Sequence, residues 1–174
     1  FADKEQKFRN ISDSEKTGIG IIHQELALVP EMTVYENLFL GHEITNGFTI
    51  DWNKTIQRAT ELLKKVRLDV NPVSKVKDLG AGKQQLVEIA KTLSRDVKLL
   101  ILDEPTSALN EDDIDNLFKL LRDLKHQGVT CVLISHKLKE VIEIADTVTV
   151  LRDGRTICTL DAKKGEVSEN VLIK

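Results

Sequence analysis

The feature that most constrains the fold of this chain is an apolar run that ends in two adjacent carboxylates. The apolar residues 99–102 lead directly into Asp103 and Glu104, and Pro105 then turns the chain. A continuous apolar run is typical of a strand that is fully buried in a parallel sheet. Acids at the end of such a strand lie at the edge where open α/β sheets bind their ligands. The pattern therefore predicts a ligand-binding sheet edge.

The bulk composition is that of an ordinary globular protein and excludes several functional classes. The chain has 174 residues, of which 41% are hydrophobic, and a net charge of -3. This length is enough for one domain with a real core. The acidic balance lacks the electrostatic footprint of a nucleic-acid binder, and no apolar run approaches the roughly 18 residues that span a bilayer. Cys131 and Cys158 are expected to be buried free thiols of a cytosolic protein.

The hydrophobic periodicity predicts alternating strands and helices. The expected elements are strands at residues 19–22, 99–103 and 129–135 and helices at 34–40, 53–67, from about 82, from 111 and at 138–145. Thr33 and Glu36 suit a capping box for the first of these helices, and the second carries an apolar stripe that includes Ala59 and Leu62. Asp113 lies in the first turn of the helix from 111, where it favours the helix dipole. Residues 1–10 resemble the end of a β-hairpin, and residues 147–160 resemble a complete one with its turn at Asp153-Gly154. The alternation between residues 86 and 145 predicts a parallel α/β sheet, and residues 34–95 form a mostly helical lobe beside it.

Polar side chains that could do chemistry follow three of these strands. Asp103 fits a Mg²⁺ ligand of a phosphoryl-transfer site, and Glu104 could polarise an attacking water. His136, after the neighbouring strand, could donate a hydrogen bond to a terminal phosphate, and Gln24 suits contact with water or Mg²⁺. Each could instead be an ordinary polar residue at a strand end. The Asp-Glu pair followed by residues 105–109 favours the functional interpretation.

A glycine-rich segment precedes the helix that is expected from about residue 82. It reads Leu79-Gly80-Ala81-Gly82-Lys83-Gln84. Glycines before a helix let backbone N–H groups approach a phosphate. The segment is not a P-loop, because the pattern G-x-x-x-x-G-K-[ST] requires Ser or Thr where Gln84 stands, and no other segment fits the pattern either.

These motifs, in this order, resemble the nucleotide-binding subunit of ABC transporters. The similar segments are His23-Gln24-Glu25 for the Q-loop, residues 79–84 for the signature motif, 99–104 for Walker B, 107–110 for the D-loop and 134–137 for the switch histidine. The resemblance covers essentially the whole chain. Residues 22–26, 35–41 and 134–138 are most similar to bacterial monosaccharide importers of the xylose or multiple-sugar branch, whose ATPase subunits carry two cassettes in one polypeptide.

The resemblance implies a fold and a function. The fold would be an α/β, P-loop NTPase-like parallel sheet (an ABC ATPase core) with a mostly helical side lobe at about residues 34–95 and a C-terminal β-hairpin. The chain starts at Phe1 and stops at Lys174 without a polar tail. Residues 1–174 are therefore expected to be a partial first cassette, cut at both ends and lacking the upstream Walker A segment. The function would be ATP hydrolysis that powers sugar import, with ATP and Mg²⁺ as cofactors, at the cytoplasmic face of the membrane.

The resemblance also implies partners and a role for each motif position. The partners would be a second cassette, a permease that docks on the helical lobe and, indirectly, a sugar-binding protein, without nucleic acid. Gln24 and Asp103 would contact Mg²⁺. Glu104 would be the catalytic base, and His136 would contact the γ-phosphate. The residues expected to meet nucleotide across the cassette interface are Leu79, Gly80, Ala81, Gly82, Lys83, Ser107, Ala108, Leu109 and Asn110.

Three departures from the family pattern affect the expected activity. Family members usually have Ser where Gly80 stands and Gln where Lys83 stands, so a hydroxyl contact to the γ-phosphate is lost. Their D-loop usually ends in Asp, whereas this chain has Asn110, which also suits a helix cap. The P-loop and the adenine-stacking aromatic are expected upstream of Phe1. The isolated chain is therefore expected neither to bind ATP tightly nor to hydrolyse it.

Two other functions stay open on the sequence. A non-transport ABC protein, acting in DNA repair or on ribosomes, tends to carry basic patches or long charged insertions. The acidic balance and the compact run between Gln24 and Leu79 disfavour it. A scaffold cassette that does not hydrolyse ATP at its own site would carry the same motifs, and turnover of a Glu104→Gln variant distinguishes it.

Overall fold

Helices and strands alternate along most of the chain. The computed structural model describes residue 1, residues 5–165 and residues 167–168. The helices are α1 (Ile11–Lys16), α2 (Val34–Phe39), α3 (Trp52–Lys65), α4 (Ala81–Thr92), α5 (Glu111–His126) and α6 (Leu138–Ile144), with short 3-10 helices at Val76–Asp78 and Ala162–Lys164. The strands are β1 (Ile19–Ile22), β2 (Thr45–Asn46), β3 (Thr49–Ile50), β4 (Leu99–Asp103), β5 (Thr130–Ile134), β6 (Thr147–Arg152) and β7 (Arg155–Asp161).

A parallel pair of strands forms the middle of the fold. β1 pairs with β4 in parallel, so that Ile22 lies opposite Leu102, which confirms the predicted parallel sheet for these two strands. The sheet order is β1-β4-β5, and the Thr130 N–H donates a hydrogen bond to the Lys98 carbonyl at 2.9 Å. Helix α4 packs closely on β1, because a Cβ added to Gly20 would overlap the Thr92 side chain.

One face of this sheet is buried and the other is not. Leu100 and Leu102 are both 0% exposed, whereas Ile101 between them is half-buried. On the same side as Ile101, Ile21 is 45% and Val132 is 43% exposed. The expectation of fully buried strands at 99–103 and 129–135 is therefore wrong. A continuous apolar run signals two apolar faces, but α4 covers only the face that includes Gly20.

The helices between residues 34 and 95 begin at the expected caps. The Thr33 N–H donates to the Glu36 carboxylate at 2.7 Å, and the Glu36 N–H donates to Thr33 Oγ1 at 3.4 Å. This is the predicted capping box. Helix α3 buries the predicted apolar stripe that includes Ala59 and Leu62. Between α2 and α3 lies a short antiparallel hairpin of β2 and β3, which was not predicted, with Phe48 fully exposed at its tip.

The chain before α2 runs antiparallel to the chain before α4. The Val34 N–H donates to the Ser74 carbonyl at 2.9 Å, and the Val76 N–H donates to the Met32 carbonyl at 3.1 Å. The Lys77 N–H extends this ladder to the Pro30 carbonyl at 3.0 Å. The segment that leaves β1 is thereby joined to the segment that leads into α4.

The first residues differ from the expected hairpin. Residues 11–16 form helix α1 because the Asn10 side chain caps it, accepting the Asp13 N–H at 3.0 Å. Residues 7–8 carry no strand. The predicted turn at residues 2–4 lies outside the described residues.

The chain separates into two compact units, Phe1–Val132 and Leu133–Lys174. In the second unit, β6 and β7 pair antiparallel, from Thr147 opposite Asp161 to the turn at Asp153-Gly154. The turn residues have φ of 51° and 72°, the left-handed values that a two-residue hairpin turn requires. The predicted C-terminal hairpin is therefore confirmed.

Candidate functional site

The register of β1 and β4 brings two predicted site residues to the same sheet edge. Because Ile22 lies opposite Leu102, both strands end at the same level. Asp103 is the last residue of β4, and Gln24 follows β1 by two residues. Asp103 is half-buried and Gln24 is exposed. An acid and an amide therefore lie at the carboxyl ends of two paired parallel strands, which is where α/β sheets bind ligands.

Glu104, the residue after β4, has an unusual backbone conformation. Its φ is 45°, in the left-handed region. For a residue with a side chain this conformation costs on the order of 1 kcal/mol and persists only when the surroundings fix it. The Ser107 N–H donates to the Glu104 carbonyl at 3.2 Å, and Thr106 is 1% exposed, so the turn is held in place. Such strain clusters at functional sites.

The turn after Glu104 leads into α5 through the predicted cap. The Asn110 side chain accepts the Asp113 N–H at 2.9 Å, which confirms Asn110 as the N-cap. The Leu109 N–H donates to the Thr106 carbonyl at 3.3 Å. Three acids lie in the first turn of α5, where their negative charges interact favourably with the positive end of the helix dipole.

A cavity of about 410 Å³ lies where the start of α4 meets the start of α5. Its lining comprises Asp78, Leu79, Gly80, Ala81, Gly82, Lys83, Ala108, Asn110 and Asp113. The structure thus brings the five predicted signature residues together with two of the four D-loop residues. Ser107 and Leu109 belong to the same turn but are not part of this lining.

The charges around this cavity have both signs. Gly80 is the N-cap of α4 and has no side chain to cap it. The N–H groups of such a first turn, together with the helix dipole, attract an anion. Lys83 adds a positive charge, while Asp78 and Asp113 add negative ones. The helix N-terminus and Lys83 favour an anion at the start of α4, whereas the two carboxylates oppose one.

Asp113 packs directly on Gly82. A Cβ added to Gly82 would lie no more than 2.6 Å from all three atoms of the Asp113 carboxylate group. Gly82 has no positive φ, and a side chain at this position would displace the Asp113 carboxylate. The sequence indicated Asp113 only as a dipole partner of its own helix. Nothing in the sequence could reveal the contact, because the spacing of α4 and α5 is set by tertiary packing.

Gln84 holds the chain that leads into the cavity. Its Nε2 donates hydrogen bonds to the carbonyls of Val76 at 3.2 Å and Leu79 at 2.9 Å. These bonds fix residues 76–79 against the first turn of α4. From the sequence, Gln84 belongs to the signature-like segment and excludes a P-loop there, but these hydrogen bonds were not predicted. The sequence feature that could have revealed this role is a long amide side chain in the first turn of a helix that follows an irregular segment.

His136 belongs to the second unit, whereas Gln24, Asp103 and Glu104 belong to the first. It is exposed and follows the end of β5 by two residues. The turn around it is fixed locally, because the Lys137 N–H donates to Ser135 Oγ at 3.0 Å. The Lys137 ammonium also lies 3.2 Å from Glu140 Oε1.

A Mg²⁺ ion would find few protein ligands here. Within the described part of the chain, no three His, Cys, Asp or Glu residues group as a metal site. Asp103 and Gln24 nevertheless suit Mg²⁺, because this ion keeps several waters and takes one or two carboxylates plus phosphate oxygens.

Cys131 and Cys158 are free, as expected, but half-buried rather than buried. Among the described helices, none combines the length and apolar character needed to cross a bilayer.

Comparison with known proteins identifies the class to which this fold and site belong. A family model described as ABC transporter matches residues 2–107. The chain therefore belongs to the ABC transporter family. The resemblance inferred from the motifs is confirmed.

Several relatives of the chain are named for sugar transport. The chain is 57% identical, over 97% of its length, to the L-arabinose transport ATP-binding protein AraG of Geobacillus stearothermophilus. It is 59% identical over 90% of its length to the xylose import ATP-binding protein XylG of Geobacillus kaustophilus, and 52% identical over 93% to XylG of Escherichia coli. It spans 33%, 31% and 32% of these proteins, about a third of each.

Solved structures share the fold. An ATP-binding cassette of an ABC transporter in its ADP conformation superimposes with a TM-score of 0.83 and 25% identity, over 100% of this chain and 72% of that one. The dimeric post-hydrolysis state of another cassette, bound to ADP and Pi, gives a TM-score of 0.73 and 25% identity over 88% of this chain and 68% of that one. The predicted ABC ATPase type of α/β fold is confirmed.

Proposed function

We propose that this chain is part of an ATP-binding subunit that hydrolyses ATP to drive import of a pentose sugar through a membrane transporter. The observation that carries the proposal is its 57% and 59% identity, over nearly its whole length, to arabinose and xylose transport ATP-binding proteins. A non-transport role in DNA repair or on ribosomes is not favoured, because these relatives are named for sugar transport.

The sheet edge would supply the hydrolytic half of the site. Asp103 and Gln24 would hold Mg²⁺, which supplies charge neutralisation at phosphate oxygens when bound. Glu104 would accept the proton of the attacking water. His136 would donate a hydrogen bond to the terminal phosphate. The strained backbone of Glu104, with φ of 45°, supports a role other than folding at that position.

The cavity at the start of α4 would meet the nucleotide of a second cassette. Its uncapped helix N-terminus and the Lys83 ammonium support binding of phosphate there. Lys83 would supply a charge where the hydroxyl usual at position 80 is missing. Ser107, Ala108, Leu109 and Asn110 would line the interface between the cassettes. The dimeric ADP- and Pi-bound relative supports the second cassette as a partner.

The remaining partners follow from the relatives. Residues 1–174 would be a partial cassette, within which the mostly helical residues 34–95 would receive the transmembrane permease. A sugar-binding protein would act through that permease. The subunit would be peripheral, on the cytoplasmic face of the membrane.

A chimaera tests this function. The chain replaces the matching third of the Geobacillus stearothermophilus arabinose transport protein, and ATP turnover is measured for the chimaera and for its Glu104→Gln variant. Loss of the base should lower kcat about 100-fold or more, since general bases contribute at least that much. The control is Glu61→Gln, an exposed acid of α3 that pairs with Arg58 at 2.8 Å. Turnover unchanged in Glu104→Gln would favour the non-hydrolysing scaffold instead.

A further inference from the structure

The segment that carries Gln24 is held by side chains of two helices. This segment, residues 23–29, links β1 to α2 and contains neither helix nor strand. Side chains from outside the segment bind the N–H and the carbonyl of Val29 and the carbonyl of Ala27. Its position therefore depends on those side chains rather than on pairing with a neighbouring strand.

The clamp on Val29 comes from α2. The Val29 N–H donates to Asn37 Oδ1 at 2.7 Å, and Asn37 Nδ2 donates back to the Val29 carbonyl at 3.0 Å. Asn37 is 0% exposed, and its Nδ2 also donates to the Thr33 carbonyl at 3.0 Å. A buried amide with its hydrogen bonds satisfied is a rigid support.

The clamp on Ala27 comes from α4. Lys91 Nζ donates to the Ala27 carbonyl at 2.6 Å. Glu88, on the same helix, is buried, with only 7% of its surface exposed. Glu88 and Lys91 lie three residues apart, so they share one face of the helix. Burial of a carboxylate is costly, and one oxygen of Glu88, Oε2, has no partner among the described residues. Packing alone would favour an apolar residue at this position.

The same helix thus serves two parts of the proposed site. The first turn of α4, with Gly82 and Lys83, lines the cavity, and its later turns hold Ala27, three residues from Gln24. A helix moves as a rigid body, so a shift of its first turn shifts the clamp as well. We propose that Lys91 is a positioning residue that sets the place of Gln24 at the sheet edge, in concert with nucleotide at the cavity. This proposal rests on the proposed ATP hydrolysis.

The test uses the chimaera described above and its Lys91→Met variant. Hydrogen exchange of the peptide covering residues 23–29 should become about tenfold faster, since a charge-assisted hydrogen bond is lost. Exchange of the peptide covering α2 should stay unchanged, because Asn37 is untouched. For ATP hydrolysis, kcat should fall about tenfold while KM for ATP stays within about twofold, since positioning acts on the chemical step rather than on binding.

Matched variants complete the design. Lys91→Arg keeps the donor and should restore both exchange and kcat. Lys64→Met, an exposed lysine of α3, should change neither quantity. Faster exchange with unchanged kcat would overturn the positioning role, and so would unchanged exchange. A rise in KM equal to the fall in kcat/KM would also overturn it. A chimaera that hydrolyses no ATP at all would contradict the proposed function, while the exchange data would still decide whether the clamp exists.

Discussion

Replacing Gly82 by Ala perturbs the contact between α4 and α5 in a way that can be calculated from the structure. The new Cβ would lie no more than 2.6 Å from each atom of the Asp113 carboxylate group. Carbon and oxygen atoms pack best at about 3.5 Å or more, so the two helices or the Asp113 side chain must give way by about 1 Å.

Two opposing terms decide the size of the effect. Ala is favoured over Gly inside a helix by about 1 kcal/mol, which would stabilise the variant. Overpacking of a tight contact costs about 1–3 kcal/mol. We therefore expect Gly82→Ala to lower the free energy of unfolding by about 1 kcal/mol. In the Asp113→Ala background the overlap is gone, and the same change should raise it by up to about 1 kcal/mol. The interaction energy of the cycle is then about 2 kcal/mol.

Urea denaturation followed by the fluorescence of Trp52 measures this cycle. Trp52 is the single tryptophan of the chain and lies in the unit Phe1–Val132, which contains both helices. Gly80→Ala is the matched control, since nothing lies within 4 Å of its added Cβ. Alanine is a poorer N-cap than glycine, so Gly80→Ala should cost up to about 1 kcal/mol. This cost should be the same in the Asp113→Ala background, because the added Cβ does not meet Asp113.

The double-mutant cycle can refute the packing argument in two ways. If Gly82→Ala does not destabilise the protein, the Asp113 side chain moves aside without cost. If Gly82→Ala destabilises the protein equally in the Asp113→Ala background, the contact is not the reason for the glycine.

Three further outcomes follow from the described contacts. Burial raises the pKa of Glu88 above its ordinary value, although nearby Lys91 and His23 act in the opposite direction. The folded state therefore holds the Glu88 proton more tightly than the unfolded state, and the free energy of unfolding falls as pH rises from 4.5 through the raised pKa. Glu88→Gln should remove this part of the pH dependence of urea unfolding. An equal slope in both proteins would contradict the assignment. Asn110→Ala should cost about 1 kcal/mol by removing the cap of α5, which thermal unfolding would detect, and no loss would mean that another group takes over the Asp113 N–H. Isothermal titration of the 174-residue chain with Mg-ATP should show no tight binding, because no segment matches the P-loop pattern, and micromolar affinity would contradict this.

Features that depend on a few neighbouring residues could be predicted from the sequence. The capping box of Thr33 and Glu36 joins residues three apart, and the Asp153-Gly154 turn needs only two residues with left-handed backbone. The hairpin of β2 and β3 belongs to the same class, since its two loop residues are Gly47 and Phe48 and glycine at the first loop position is a turn signal. It was missed because the flanking strands, two residues each, are too short to show alternation.

Features that depend on tertiary packing could not be predicted. The apolar character of residues 99–103 indicated a strand but could not show that only one of its faces is covered. The packing of Asp113 on Gly82 and the clamp of Lys91 on Ala27 join residues 31 and 64 positions apart. For the candidate site, the sequence indicated the edge residues Asp103 and Gln24, because parallel strands end at a common edge. It could not indicate the supports that hold them.

Because Glu104 has a left-handed backbone, the residue that would best stabilise the fold at this position differs from the residue that ATP turnover would require. Glycine adopts a φ of 45° without penalty, so Glu104→Gly would relieve strain while deleting the carboxylate. A library of this chain selected only for thermal resistance should accumulate glycine at position 104. A library selected for ATP turnover in the chimaera should keep glutamate and find its compensating gains in stability elsewhere, as in other proteins that trade stability for activity.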